Sequence, residues 1–416
     1  MRRVVITGLG TVNALGLSVE ESLPRILAGE NGVSTLTRFD TEGQAATIAA
    51  QVDWDPEACG FGVQDLRKLD PFTMWGLMAS DEALRDAGLE GLAQAPEEER
   101  ERYGAIIATG IGGITGILEQ QQVLLERGPR RVSPHFIPRI MANAVSGQVS
   151  IRHGLLGTCF TTSSACASAG HAIGMAWRAI QYGDADLIIT GGSESAITPL
   201  SMAGFASAKA LSTRNEAPEL ASRPFDKDRD GFVMGEGAGL LVFEELERAR
   251  ARGARIYAEV KGYGSTDDAY HITAPKQDGK GPARAFQEAL RHAGLKPEQV
   301  QYVNAHGTST AFNDSIETTA IKRVFGEHAK KLAVSSTKSM IGHLLGAATG
   351  VELVYTALAV HQDLVHPTRN YTTPDPDCDL DYVPGEARAM KVQNALCNSL
   401  GFGGHNVSIC IGKVEG

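Results

Sequence analysis

The sequence predicts an α/β fold built from two similar halves, and three observations carry that expectation. Asp81 to Leu89 reads DEALRDAGL and Gln287 to Leu295 reads QEALRHAGL, so EALR and AGL recur 206 positions apart, close to half of the 416 residues. Self-similarity at one offset marks duplication before any single motif does. Short β-branched runs alternate with helix-favouring stretches in roughly the same order on both sides of the repeat, the pattern of sheets covered by helices. The 47 glycines exceed the usual share of about 7% and imply many tight turns and close backbone contacts.

In the first half, Val4 to Thr7 is a strand closed by Gly8-Leu9-Gly10. These glycines imitate the opening of a dinucleotide-binding loop, but the third glycine of that fingerprint falls at 13, where Asn13 stands. The DEALRDAGL helix ends at a glycine. After it come a strand at Ala105 to Ala108 with the loop TGIGG, a helix containing Cys166, a strand at Asp186 to Thr190 with GGSES, and a strand at Ala238 to Phe243. The second half offers Val300 to Ala305 ending in HGTST, Leu332 to Ser335 leading to a helix near Gly342, Ala395 to Asn398 with GFGG, and Val407 to Ile411. Two halves spanning 1–250 and 251–416, with mostly parallel sheets, would offer catalytic groups from strand ends and helix starts of both. The charge runs PEEERER (96–102) and EELERARARGAR (244–255) read as solvated helix faces.

Composition excludes several classes of function. A formal charge of −10 argues against broad attraction to nucleic acid or anionic lipid. The six cysteines (59, 159, 166, 378, 397, 410) form no CxxC pair and no metal-ligand spacing, which fits reduced thiols in a cytoplasmic protein. No stretch approaches the 18 or so apolar residues of a membrane span, and MRRVVITGLG reads as strand and turn without the apolar core of a signal peptide.

The chemistry is expected around Ser163 to Ile180, SSACASAGHAIGMAWRAI. Ser163 or Ser164 can cap a helix and leave Cys166 in its first turn, where the positive helix end favours the thiolate over the roughly 8.5 of a free cysteine. Two histidines in the second half stand at marked places: His306 where VQYVNA gives way to GTST, and His343 at the start of HLLGAATGVELVYTALAV. A helix N-terminus disfavours imidazolium, so His343 is expected to stay neutral and to donate a hydrogen bond.

SSACASAG around Cys166, NAHGTST around His306, SSTKSMIGHLLGAA around His343 and NSLGFGGHN at 398–406 resemble the β-ketoacyl-acyl carrier protein synthases of the second bacterial type. The resemblance runs over nearly the whole chain, STRN and SRPFDKDRDGFVMGEGAG at 212–239 included. It implies the thiolase fold, five αβαβα layers made of two similar βαβ halves, as a homodimer without metal or other cofactor. It also implies an acyltransferase that elongates acyl chains by decarboxylative condensation with malonyl-acyl carrier protein.

By the same resemblance Cys166 is the acyl-accepting nucleophile, and the amides of Cys166 and Phe402 form its oxyanion hole. His306 and His343 donate to the malonyl thioester, and Lys338 is a structural lysine paired with Glu352, an acid that stands in an otherwise apolar helix and needs a partner. Thr273, Thr308 and Thr310 would line the pantetheine path. Ile111, Phe136 and Phe402 would form the acyl pocket and its gate, with Ile111 and Phe136 near the dimer interface. Arg67, Lys68, Arg130, Arg131 and Lys209 would dock the acidic carrier protein.

The chain departs from the family at Leu400 (commonly Phe), at His405 (commonly Thr) and at Ala311-Phe312-Asn313. These bear on pocket shape and gate motion and leave the Cys-His-His set untouched. A ketosynthase of an aromatic polyketide pathway would share every catalytic residue. A non-catalytic chain-length-factor subunit would lack Cys166, and thiolase itself would need a second catalytic cysteine in the GFGG region.

Overall fold

The computed structural model of the chain describes residues 1–415. Its centre is a ten-stranded sheet, with β1 Val4–Val12, β2 Tyr103–Ala108, β3 Cys159–Phe160, β4 Leu187–Glu194 and β5 Gly237–Glu245 in the first half. The second half holds β6 Ala258–Asp267, β7 Tyr302–Asn304, β8 Ala333–Ser335, β9 Asn394–Gly401 and β10 His405–Gly412. From the middle outward the order is β1-β5-β4-β2-β3 on one side and β6-β10-β9-β7-β8 on the other. The halves therefore share one topology, and they meet where Val4 to Ile6 of β1 pairs antiparallel with Ala258 to Val260 of β6.

The expectation of mostly parallel strands needs correction. Within each half the outer three strands are parallel, while the inner two junctions are antiparallel. In the second half the reason is local, because only Phe402, Gly403 and Gly404 separate β9 from β10. So short a connection can make only a hairpin.

Helices α1 Pro71–Asp86, α2 Ile114–Arg127, α3 Phe136–Ile140, α4 Ser168–Tyr182, α5 Lys280–Ala293, α6 Asn313–Phe325 and α7 Ala348–Gln362 complete the frame. Helices α4 and α7 pack against strands of both halves, whereas α1 covers β1 and β5 and α5 covers β6 and β10 on the outside. The five layers are thus helices, half-sheet, α4 with α7, half-sheet, helices. Thirteen of the fifteen residues of α7 are buried, as a helix between two sheets must be. None of the described helices is long and apolar enough to cross a membrane.

The duplicated motif has a packing cause. A Cβ at Gly8 or Gly10 would lie 2.0 Å from the carbonyl oxygen of Ala83 or Ala79 of α1. In the second half a Cβ at Gly262 or Gly264 would lie 2.1 or 1.9 Å from the carbonyl oxygens of Ala289 and Ala285 of α5. The glycines that imitate a nucleotide loop are therefore strand residues that let the EALR helices sit against the sheet. For the same reason β1 does not end at Thr7 but runs on through Gly8 and Gly10 to Val12.

A further expectation fails. The run 244–255 is no uniformly solvated face: Glu244 is fully buried, accepts from the Thr7 hydroxyl and is paired with Arg248 and Arg252. Strand β6 lies outside the expected elements: Ala258 to Lys261 alternate in polarity, but Gly262 and Gly264 interrupt the run.

Candidate active site

Cys166 lies at the seam between the halves. No serine caps α4 from 163 or 164, and the helix begins at Ser168, with Ala167 at its N-cap. Cys166 stands in the turn before it, held by Ala165 in the left-handed region at φ 50°. The Ser164 amide donates to Ser168 Oγ at 2.8 Å, while the Ser164 hydroxyl pairs with His171. Non-glycine residues also take positive φ at Ser309 (69°), three after His306, and at Leu345 (48°), two after His343. Such strain persists only where surrounding packing enforces it.

The two histidines converge on the thiol. His343 Nε2 is 3.1 Å from Cys166 Sγ. The His306 and His343 rings stand edge to face with centroids 5.3 Å apart, and one ligand-type atom from each of the three residues falls within 4.8 Å of the others. His343 Nδ1 accepts the Leu345 amide at 3.2 Å, so the ring proton belongs on Nε2, facing the sulfur. The expected helix start at His343 is not there. A one-turn helix at Lys338–Ile341 precedes it, and α7 opens at Ala348. The imidazole is held instead by Phe232, whose ring meets it edge to face at 5.2 Å, while the His343 amide donates to the Val233 carbonyl at 2.8 Å.

Burial, followed by the Lys338 ammonium, holds both imidazoles well below the usual histidine range, and His343 further discourages protonation of His306. Neutrality of His343 is therefore kept, through desolvation and a neighbouring cation in place of a helix dipole. The thiolate expectation is overturned. Cys166 is half-buried, yet burial pushes its thiol up to about 11; Lys338 and the amides of Phe402 and Cys166 act in the opposite direction. Those two amides are accordingly aimed at the sulfur.

Lys338 and Glu352 form a buried ion pair, each about 2% exposed. By residue type Cys166, His306 and His343 could ligate a metal, but the Lys338 ammonium bears on all three and would repel a divalent ion.

The loop carrying His306 is clamped from α6 by two buried acids that sequence reading gave no role. Glu317 accepts the amides of His306 and Gly307 at 2.8 and 2.9 Å, and Asp314 accepts those of Thr308 and Ser309 at 3.0 and 3.1 Å. Glu194 does the same across the site. It accepts from Thr109 Oγ1 and from the amides of Gly110, Ile111 and Gly346. Read as part of a loop, Glu194 in fact ends β4, which continues through Gly191 and Gly192 because those glycines admit neighbouring backbone.

The remaining expected residues divide. Thr308 is buried and its hydroxyl pairs with that of Thr310 at 3.0 Å, close behind His306. Thr273 is exposed, in a loop whose Ile272 carbonyl accepts the Gly403 amide. Ile111 is exposed, Phe402 and Phe136 are partly so, and Arg67, Lys68, Arg130, Arg131 and Lys209 all lie on the surface. Of the departures, Leu400 is buried on β9, Phe312 is exposed and His405 opens β10.

This architecture is that of the ketosynthase class. The chain superposes on a β-ketoacyl synthase from Burkholderia phymatum with TM-score 0.91 and 37% identity over 100% of both chains. It superposes equally, at 36% identity and full coverage of both chains, on a type II polyketide ketosynthase solved in complex with its acyl-carrier protein and bound to a hexaketide. The family model described as "Beta-ketoacyl synthase, N-terminal domain" matches residues 1–249 and that described as "Beta-ketoacyl synthase, C-terminal domain" matches 257–372. Two curated relatives named 3-oxoacyl-[acyl-carrier-protein] synthase 2 extend the match. The Synechocystis protein is 51% identical, covering 100% of this chain and 99% of its own, and the Rhizobium meliloti protein is 48% identical over 100% of both. The chain belongs to the β-ketoacyl synthase family.

Proposed function

We propose that this chain is an elongating 3-oxoacyl-acyl carrier protein synthase of fatty acid synthesis, with its two halves divided at 250. The observation that carries the reading is the thiol of Cys166 facing a neutral His343 whose Nε2 bears the proton, with neutral His306 beside it.

Cys166 takes the acyl group from a carrier-bound thioester. Its C–S bond to the carrier breaks, a C–S bond to Cys166 forms, and the thiol proton ends on the departing carrier thiol. The amides of Cys166 and Phe402 hold the developing oxyanion, one such donor being worth about 3–4 kcal/mol. Malonyl-carrier protein follows, and its thioester carbonyl accepts from His306 and His343. Carbon dioxide leaves and the electron pair of the broken bond becomes an enolate, which neutral donors stabilise without protonating. The enolate carbon then attacks the acyl carbonyl carbon and displaces the Cys166 sulfur, which leaves as thiolate and takes a proton from solvent, to give a 3-oxoacyl product two carbons longer. Lys338 with Glu352 keeps the imidazoles neutral, and Glu317, Asp314 and Glu194 hold the loops in place. Thr308, Thr310 and Thr273 guide the pantetheine arm. Phe402 gates an acyl pocket lined by Ile111 and Phe136.

Arg67, Lys68, Arg130, Arg131 and Lys209 receive the acidic carrier protein, a role the carrier complex of the polyketide relative supports. Exposed Ile151, on the 144–153 helix that packs against β3, and exposed Leu156, three residues before it, support a homodimer closed over the open edge of that strand. The enzyme works in the cytoplasm. Identities of 47–51% to fatty acid enzymes against 36% to the polyketide ketosynthase favour the fatty acid pathway, and Cys166 opposes a non-catalytic subunit. The test is turnover of purified protein with acyl- and malonyl-carrier protein, in which one CO2 and one 3-oxoacyl product two carbons longer are expected per cycle. No elongation across acyl lengths would overturn the reading.

A further inference from the structure

The corner from Gly401 to Gly404 brings the Phe402 amide to the thiol. It passes so close to the nucleophile turn that a Cβ at Gly401 would stand 3.2 Å from the Cys166 nitrogen. Gly403 and Gly404 take φ 88° and 83°, which turns the chain back into β10. Backbone anchors hold its outer side: the Gly403 amide donates to the Ile272 carbonyl at 2.6 Å, and the Asp268 amide to the Gly404 carbonyl at 2.9 Å.

His405, where the family commonly has threonine, follows this corner as the first residue of β10, its side chain partly exposed. Its Nδ1 is 3.3 Å from Asp267 Oδ2, and its Nε2 lies 2.9 Å from where a Cβ on Gly403 would sit. Its ring meets His171 edge to face, with centroids 6.0 Å apart. His171 in turn pairs through Nδ1 with Ser164 Oγ at 2.6 Å and through Nε2 with Ser265 Oγ at 2.9 Å. Ser164 is two residues before Cys166. One side chain thus braces the corner directly and, through His171, the turn that carries the sulfur. Threonine is too short to span Asp267 and His171 together.

We propose that His405 is a positioning residue that keeps the Phe402 amide in register with the Cys166 sulfur and so sets the rate at which Cys166 is acylated. The inference rests on the reading of Cys166 as nucleophile; His405 itself exchanges no proton and touches no substrate. Malonyl decarboxylation, which falls to His306 and His343, does not depend on it.

The two steps separate on the full-length enzyme: single-turnover acylation of Cys166 by acyl-carrier protein, followed by intact-protein mass, and CO2 release from malonyl-carrier protein. His405→Ala should slow acylation about tenfold to a hundredfold, the scale of a small misplacement at a reacting centre, and leave CO2 release within about twofold. His405→Asn, which can still donate to Asp267, should recover part of the loss and also serves if the alanine variant folds poorly. Acylation at the wild-type rate in both variants, or equal loss in both steps, overturns the inference while the nucleophile reading stands. A wild-type enzyme that takes no acyl group on Cys166 overturns that reading and the inference together.

Discussion

Lys338 and Glu352, fourteen residues apart in the sequence, form an ion pair in which both side chains are buried. The ammonium lowers the basicity of His306 and His343 in addition to their burial. With both imidazoles well below 6.5, the acidic limb of kcat/KM should lie below the ordinary histidine range. Replacing Lys338 by Met removes a positive charge, so the imidazolium forms more readily and the limb should move to higher pH. A pH-rate profile with an unmoved limb would detach Lys338 from the histidines.

Glu317 holds two consecutive amides of the His306 loop, and its buried carboxyl is pushed up to about 7. In Glu317→Gln one of those amides faces an NH2 group in place of an acceptor. A buried unsatisfied donor costs about 1–3 kcal/mol, so the denaturant midpoint should fall. CO2 release should fall further than Cys166 acylation, because the displaced loop carries His306; equal losses would make Glu317 a purely structural acid.

Gly264→Ala would bring a Cβ to 1.9 Å from the Ala285 carbonyl oxygen, and backbone cannot yield as a side-chain tip can. Overpacking of this kind typically costs about 1–3 kcal/mol. Urea unfolding should register at least the upper part of that range, with a comparable loss for Gly10→Ala at the matching contact of the first half. A neutral result at either position would refute the packing cause assigned to the duplicated glycines.

The exposed pair Arg130 and Arg131 should act on carrier recognition alone. Reversing both charges should raise KM for acyl-carrier protein and leave KM for a small acyl thioester unchanged, with the difference fading as salt screens the contact. Equal changes in both KM values would remove the patch from docking.

Much of this arrangement was legible in the residues. The two EALR helices announced the duplication, and Cys166, His306 and His343 were singled out from their places at junctions of elements. The reasons were less legible. Helix-end electrostatics suggested an acidic thiol and a helix-start histidine, but helices α4 and α7 open two and five residues downstream, and desolvation decides both ionisation states. Glu194, Glu317 and Glu244 look like surface acids in the sequence, because local polarity does not reveal that their partners are backbone amides or arginines from distant segments. Glycines in β1 and β4 read as turns, since only the backbone packed against them explains why a strand should carry them: α1 at Gly8 and Gly10, Gly239 at Gly191 and the 346–347 turn at Gly192.

The most direct test of the central claim is peptide-mapped mass spectrometry of the enzyme incubated with acyl-carrier protein in the absence of malonyl donor. The acyl mass is expected on the peptide containing Cys166, and none on the Cys166→Ala variant. An acyl group on another residue of the wild-type protein, or one that survives in Cys166→Ala, would contradict it.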